Sequence, residues 1–226
     1  MSIATIRNDT EIQQDVLKEL KWDPRVEPTE VGVQVNQAVV TLTGNIGSYA
    51  KKLAAKEAAH RVVGVLDVAN DLVVALPSLF ERKDADIAHA VRHALEWDVL
   101  VPEQRIHSTV SEGWVTLEGE VDRWSQRLDA DQAVQRLTGV KGVNNQITVR
   151  PTIRPSAEKI RTSIEDALDR QVHREADRLG INVKDGVVTL TGTVRSWAEK
   201  NAVHNVVSFA PGVQRVDDRL TIDAYS

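Results

Sequence analysis

One phrase, met three times, constrains this chain more than any other feature. Val40-Thr41-Leu42-Thr43-Gly44 recurs as Val115-Thr116-Leu117-Glu118-Gly119 and as Val188-Thr189-Leu190-Thr191-Gly192. Five residues beyond each glycine stands an aromatic ring (Tyr49, Trp124, Trp197), and twenty beyond it a Gly-Val step, at Gly64-Val65, Gly139-Val140 and Gly212-Val213. Upstream, Ile12, Val16 and Leu20 match Ile87, Val91 and Leu95, then Ile160, Ile164 and Leu168, each isoleucine 32 positions before its glycine. The glycines lie 75 and then 73 residues apart, so almost nothing is inserted or deleted between copies. This is tandem duplication of one whole module. A period above seventy residues is too long for a solenoid and suits a small domain near the lower size limit for independent folding.

Composition narrows the context. With 226 residues and 42% hydrophobic content the chain can bury sizeable cores. It has no cysteine, which excludes disulfides, thiolate metal sites and cysteine nucleophiles. A net charge of −5 argues against a general nucleic-acid binder, which carries a basic surplus. Charge interrupts the N-terminal stretch Met1 to Glu11 before an apolar core develops, and no later segment has the length of a membrane span. The expectation is a cytoplasmic protein, or a periplasmic one if an export signal has been trimmed away.

Within a copy, hydrophobic period sets the elements. Ile12, Val16 and Leu20 trace an amphipathic helix that Asp9 or Thr10 is placed to cap. Pro24 and Pro28 end that pattern. Val31, Val33 and Val35 alternate as a half-buried strand, and a short turn leads to Val40, Leu42 and Ile46. The third copy has Lys184-Asp185-Gly186 at this turn, with the Asp-Gly step that tight hairpins favour, and the second has Glu112-Gly113. Gly44 marks a bulge or a close backbone approach. From Ser48 the period is helical again through Tyr49, Leu53, Ala54, Ala58 and Val62. Ser48 and Ser196 suit helix starts, and Gly64, Gly139 and Gly212 suit left-handed C′ positions. Val68, Leu72 and Val74 form the last strand. The expected class is α+β: three tandem α-β-β-α-β domains, each a three-stranded mixed sheet with one face covered by two helices. Their boundaries fall at residues 9–76, 84–150 and 156–223, and Pro151 and Pro155 stiffen the second linker.

These residues resemble the BON domain, the bacterial osmotically-induced and nodulation-associated module. The run Val-x-Leu-x-Gly-x-Val, Ser-Trp, an alanine-rich helix, Gly-Val-x-x-Val and a closing Leu/Ile-x-Val/Ile carries the resemblance. It is fullest in the third copy: Val188 to Val194, Ser196-Trp197, Gly212-Val213, Val216 and Leu220-Thr221-Ile222. Asn70 and Asn145 take the asparagine place before the last strand, where the third copy has Asp218. The resemblance implies a non-catalytic module tied to osmotic and envelope stress, binding phospholipid or another hydrophobic ligand. One branch, which joins this domain to a LysM domain, binds potassium; this sequence carries no LysM domain.

Candidate site residues are few. The chain has no Gly-x-Ser-x-Gly elbow, P-loop or dinucleotide fingerprint, so no catalytic residue and no cofactor is assigned. His89 and His93 have a metal-chelating spacing but lie opposite the apolar stripe and are not repeated, which makes them surface histidines. Gly44-Asn45-Ile46-Gly47 has the form of an RNA-binding Gly-x-x-Gly loop but occurs once, between a strand and a helix. Tyr49, Trp124 and Trp197 recur at one place and are assigned to packing over the preceding strand. Trp22 and Trp97 differ. They stand just past the predicted first helix as Lys21-Trp22-Asp23 and Glu96-Trp97-Asp98, and Arg170 takes their place in the third copy. A position that accepts arginine is at least half exposed, so these two rings are the candidate ligand-binding residues, against a lipid headgroup boundary or a neighbouring domain. The leading expectation is weak multivalent attachment to a membrane phospholipid surface or hydrophobic ligand. The alternatives are a protein responsive to potassium or calcium through backbone carbonyls and carboxylates, and a self-associating scaffold or homo-oligomer.

Overall fold

In the computed structural model, which describes residues 7–171 and 179–223, the first helix (α1, Asp9–Trp22) opens on a reciprocal cap. The Asn8 side chain accepts from the Glu11 N–H at 2.8 Å, and the Glu11 carboxylate accepts from the Asn8 N–H at 3.2 Å. The cap is therefore Asn8, neither Asp9 nor Thr10, because Asp9 is engaged elsewhere. Its two carboxylate oxygens accept from the N–H groups of Gln37 and Ala38, each at 2.9 Å. Those residues form the two-residue turn between β1 (Gly32–Asn36) and β2 (Val39–Ile46), and both are left-handed, with φ of 50° and 61°. Such a turn matches the twist of its strands but strains residues that carry a Cβ. The carboxylate of Asp9 supplies acceptors that hold it.

Asp84 repeats this clamp on Glu112 and Gly113 at 2.8 and 2.9 Å. The third copy has Ala157 at the matching position and relies on Asp185-Gly186, with φ of 50° and 76°.

After the hairpin, Ser48 caps α2 (Tyr49–Arg61) by accepting from the Lys51 N–H at 3.2 Å. The chain then returns as β3 (Asp67–Val74). β2 is the central strand, antiparallel to β1 and parallel to β3, so the sheet is mixed as expected. α1 and α2 pack side by side on one face and enclose Ile12, Val16, Leu20, Val40, Leu42, Ala58 and Leu72. The second copy repeats the order with α3 (Asp84–Trp97), β4 (Ile106–Ser111), β5 (Trp114–Val121) and α4 (Trp124–Gln135). Its last strand is broken into β6 (Gly142–Asn145) and β7 (Thr148–Val149), both parallel to β5. The third has α5 (Ala157–Gln171), β8 (Leu179–Lys184), β9 (Val187–Val194), α6 (Trp197–Phe209) and β10 (Arg215–Ile222), with β9 central. Ser196 caps α6 through the Glu199 N–H at 3.2 Å. By packing, the chain forms two units. One holds the described residues through Ala75, Thr193–Asn201 and those from Leu220 onward; the other holds the described residues among 76–192 and 202–219.

Gly44, Gly119 and Gly192 occupy equivalent places in the central strands at φ of 127°, 137° and 115°. A Cβ at Gly44 would lie 2.2 Å from the Glu30 carbonyl oxygen, and one at Gly119 would lie 2.1 Å from that of Arg105. The close backbone approach read from the sequence is thus the reason for glycine. Gly64, Gly139 and Gly212 are also left-handed, but they are not the C′ residues that stop a helix. α2 is already capped at Val62, and Gly64 is the third residue of the turn closed by Val65 N–H to Val62 C=O at 3.3 Å. Leu137 to Val140 and Ala210 to Val213 close in the same way. Left-handed φ at the third residue is what a type II turn demands, and Pro211 suits its second position.

The asparagine place is internal to the last strand, not before it. Asn70 lies within β3 and Asn145 ends β6. The Nδ2 of Asn70 donates to the Lys52 carbonyl at 3.0 Å, and that of Asn145 to the Arg127 carbonyl at 2.8 Å. The side chains of Lys52 and Arg127 reach back to the Leu72 and Ile147 carbonyls at 2.7 and 3.1 Å. Second helix and last strand are thereby laced together. In the third copy Lys200 donates to the Leu220 carbonyl at 2.9 Å, while Asp218, which has no amide to donate, pairs with His204 at 3.0 Å.

Candidate functional site

Trp22 and Trp97 are the last residues of α1 and α3, one position earlier than the sequence pattern suggested. Each follows the last buried stripe residue, Leu20 or Leu95, by two positions, a rotation of about 200° around the helix. Helical geometry therefore points both rings away from the core, and they are 83% and 79% exposed. The turn beyond each ring is the same. Asp23 Oδ1 accepts from the Arg25 N–H at 3.1 Å, and Asp98 Oδ1 accepts from the Leu100 N–H at 2.9 Å. The backbone closes behind them, Val26 N–H to the Asp23 carbonyl at 3.1 Å and Val101 N–H to the Asp98 carbonyl at 3.0 Å. Val26 and Val101 then plug the core. An aspartate-stapled corner thus presents a tryptophan twice.

The two corners differ in chemistry. In the first copy, Asp23 is buried and bridges Arg25 and Arg61 at 2.8 Å each, and Arg61 also holds Glu19 at 2.6 Å. Hydrogen bonds from Arg25 first, and then Arg61, hold the Asp23 carboxyl far below the usual range. Lys18 and Lys21 are exposed on the same helix. In the second copy the tip is apolar. Val99 is 96% and Leu100 61% exposed, and His93 stacks on Trp97 with ring centroids 5.0 Å apart. Sequence reasoning missed Val99 and Leu100. The signal available was two consecutive aliphatics inside a turn, where no hydrophobic period calls for them. Arg170, the third copy's counterpart, is exposed.

The recurring aromatics are all half-buried. Arg127 lies over Trp124 at 5.0 Å and Lys200 over Trp197 at 5.1 Å. Trp197 makes its described packing contact outside its own copy. It packs against the hydrophobic core of the first copy and stacks on His60 with centroids 3.7 Å apart and planes within 6°. Burial, then the nearby positive charge of Lys56, lowers the His60 pKa to about 4. No repeat signal announced this residue, since Gln135 and Ser208 take its place in the other copies.

His89 and His93 are exposed, and among the described residues no group of three or more His, Asp or Glu stands close enough to hold a metal ion. One surface cavity lies along α5, lined by Ser156, Lys159, Ser163, Asp166 and Arg170 among others; another lies beside Arg7, Glu11 and Lys18 on α1. Both are shallow grooves on single helix faces, a geometry that does not converge a nucleophile and a base on one point. Among the described residues no helix is long and apolar enough to cross a membrane.

Three tandem α-β-β-α-β modules, each with glycine at the central-strand approach and a Gly-Val turn before the last strand, define a protein built of BON domains. The chain belongs to the BON domain family, which matches residues 8–75, 83–151 and 156–224. It is similar to osmotically-inducible protein Y of Escherichia coli K12, at 27% identity over 152 residues, covering 66% of this chain and 76% of that protein. Among solved structures, CdsD, a structural protein of the type III secretion system of Chlamydia trachomatis, aligns over 94% of this chain and 92% of its own at 13% identity and a TM-score of 0.26. The C-terminal domain of CdsD aligns at 12% identity over 96% and 100%, with a TM-score of 0.26. Scores this low do not relate the folds.

Proposed function

We propose that this chain is a non-catalytic, osmotic-stress-associated binding protein that attaches to phospholipid surfaces through its two tryptophan corners. The observation that carries the reading is the twice-built, aspartate-stapled turn that leaves Trp22 and Trp97 83% and 79% exposed. A soluble fold gains nothing from holding a large ring in water, whereas an indole is well suited to the headgroup boundary. Tips this exposed fit a surface better than an enclosed small molecule. At the second corner Val99 and Leu100 extend the apolar tip beside Trp97. At the first, Lys21 offers charge to anionic headgroups, whereas Lys18 is already paired with Asp15 at 2.9 Å. The similarity to an osmotically-inducible protein supports the stress setting.

Burying half of an indole of roughly 200 Å² yields about 2 kcal/mol, or roughly thirtyfold in affinity per corner. Two such corners on one chain gain further when both engage one surface. Flotation with phosphatidylcholine vesicles, with and without phosphatidylglycerol, tests this on the full chain. Trp22→Ala and Trp97→Ala should each weaken flotation by about tenfold or more, and the double variant should abolish it, with thermal midpoints almost unchanged. A double variant that floats like the parent sinks the proposal.

A further inference from the structure

We propose that His60 and Trp197 form an acid-released latch, in which the neutral imidazole stacked on the indole holds the start of α6 against the first BON domain and protonation of His60 frees it. The geometry is a closed, nearly parallel stack with centroids at 3.7 Å, seated on the first domain's core. Two polar atoms in it, Nε2 of His60 and Nε1 of Trp197, are buried without a hydrogen-bond partner. A neutral imidazole can leave Nε2 unpartnered at modest cost, with its proton on Nδ1. An imidazolium cannot, since both nitrogens then carry protons and one is shut away from any acceptor.

Three charged groups face the ring: Lys56 from α2, Asp67 from β3 and Lys200 from α6. Both lysines oppose protonation and Asp67 favours it. One attraction runs the other way, because a cation over an indole face is drawn to its negative quadrupole. Lys200 already occupies the Trp197 face at 5.1 Å, so the imidazolium would share that ring with a second cation. Desolvating an unpaired charge costs several kcal/mol, and that cost prevails.

The folded-state pKa of His60 lies below its ordinary 6.5, at about 4. The latch therefore contributes fully above pH 6.5, and its contribution is lost as pH falls from 6.5 toward 4. With half of the shift discounted for partial exposure, the closed state weakens about tenfold by about pH 5.

The test follows the histidine Cε1–H resonances of the full chain by NMR from about pH 7.5 to about 3.5, with small-angle scattering over the same range. His60 should titrate well below 6.5, and Trp197→Ala should return its midpoint toward 6.5. The radius of gyration should rise through this window in the parent chain but not in His60→Phe, which keeps a stackable ring and carries no titrating nitrogen. A His60 midpoint at or above 6.5, or the same scattering response in the parent and His60→Phe, overturns the latch.

Discussion

Replacing Gly44 with alanine tests why glycine is the most regular residue of the repeat. At φ 127° an L-residue is strained by about 1–3 kcal/mol before any contact is made. The added Cβ would then stand 2.2 Å from the Glu30 carbonyl oxygen, roughly an ångström inside the closest approach real side chains make. Both partners are backbone, so the relief must come from moving a strand, which costs a further 1–3 kcal/mol or so. The expected loss is about 4 kcal/mol, a large part of the roughly 5–15 kcal/mol typical of whole domains. Gly32→Ala is the control. Its Cβ would meet Thr43 Oγ1 at 2.8 Å, a side-chain atom that can rotate away, and the matching position in the second copy is His107. That substitution should be neutral, or stabilising by a few tenths of a kcal/mol through the unfolded chain. Urea unfolding read by hydrogen exchange of the β1 and β2 amides reports the first copy separately from its neighbours. The reasoning fails if Gly44→Ala lies within about 0.5 kcal/mol of the parent, or if Gly32→Ala costs as much.

Asp23→Ala should destabilise the first copy by about 1–2 kcal/mol at neutral pH, a buried-pair value reduced because Arg25 and Arg61 are half exposed. Because the Asp23 carboxyl is held below its ordinary value, its contribution is present above about pH 4 and is lost as pH falls below it, so Asp23→Asn should flatten the acid limb of a melting profile. Asn145→Ala removes both the tie from its amide to the Arg127 carbonyl and the acceptor for the Ile147 N–H, and should cost about 2–3 kcal/mol by urea titration.

Most of the fold was legible because the repeat supplies three readings of each element. An alternation ambiguous in one copy is settled by the next, and apolar period places Leu20, Leu95 and Leu168 on one buried stripe without further information. What escaped is chemistry that joins residues far apart in sequence. Asp9 passes for a helix cap in the sequence, but its carboxylate is spent on a turn 28 residues later, a contact that only the folded arrangement reveals. The regular spacing of Asp9 and Asp84 before their glycines was the available clue. Gly64 misled for a related reason. Left-handed glycine after a helix serves either as a terminator or as the third residue of a following turn, and Val62 had already taken the first role. Trp22 and Trp97 were legible as exposed because Arg170 replaces them. His60 was invisible, because it carries no period and its partner belongs to another copy.

Comparison of the three copies within the chain separates scaffold from surface. Features that recur are those the backbone requires: glycine under a carbonyl, a basic side chain from the second helix on the last strand, and aspartate closing the corner after Trp22 and Trp97. Features that vary stand on those supports and face water. The same stapled turn offers Trp22-Asp23-Pro24-Arg25 in one copy and Trp97-Asp98-Val99-Leu100 in the next. A turn held by its own aspartate tolerates either tip, since neither the proline nor the leucine is needed to close it. The ring stays exposed while its neighbours change from an ion-paired arginine to two aliphatics. On the proposed reading, duplication of this corner with an altered tip would give one chain two related contact surfaces. If the corners meet a membrane as proposed, the second tip, with Val99 and Leu100 exposed, should reach the apolar boundary, while the first, with Arg25 and Arg61 paired to Asp23, should stay among the headgroups.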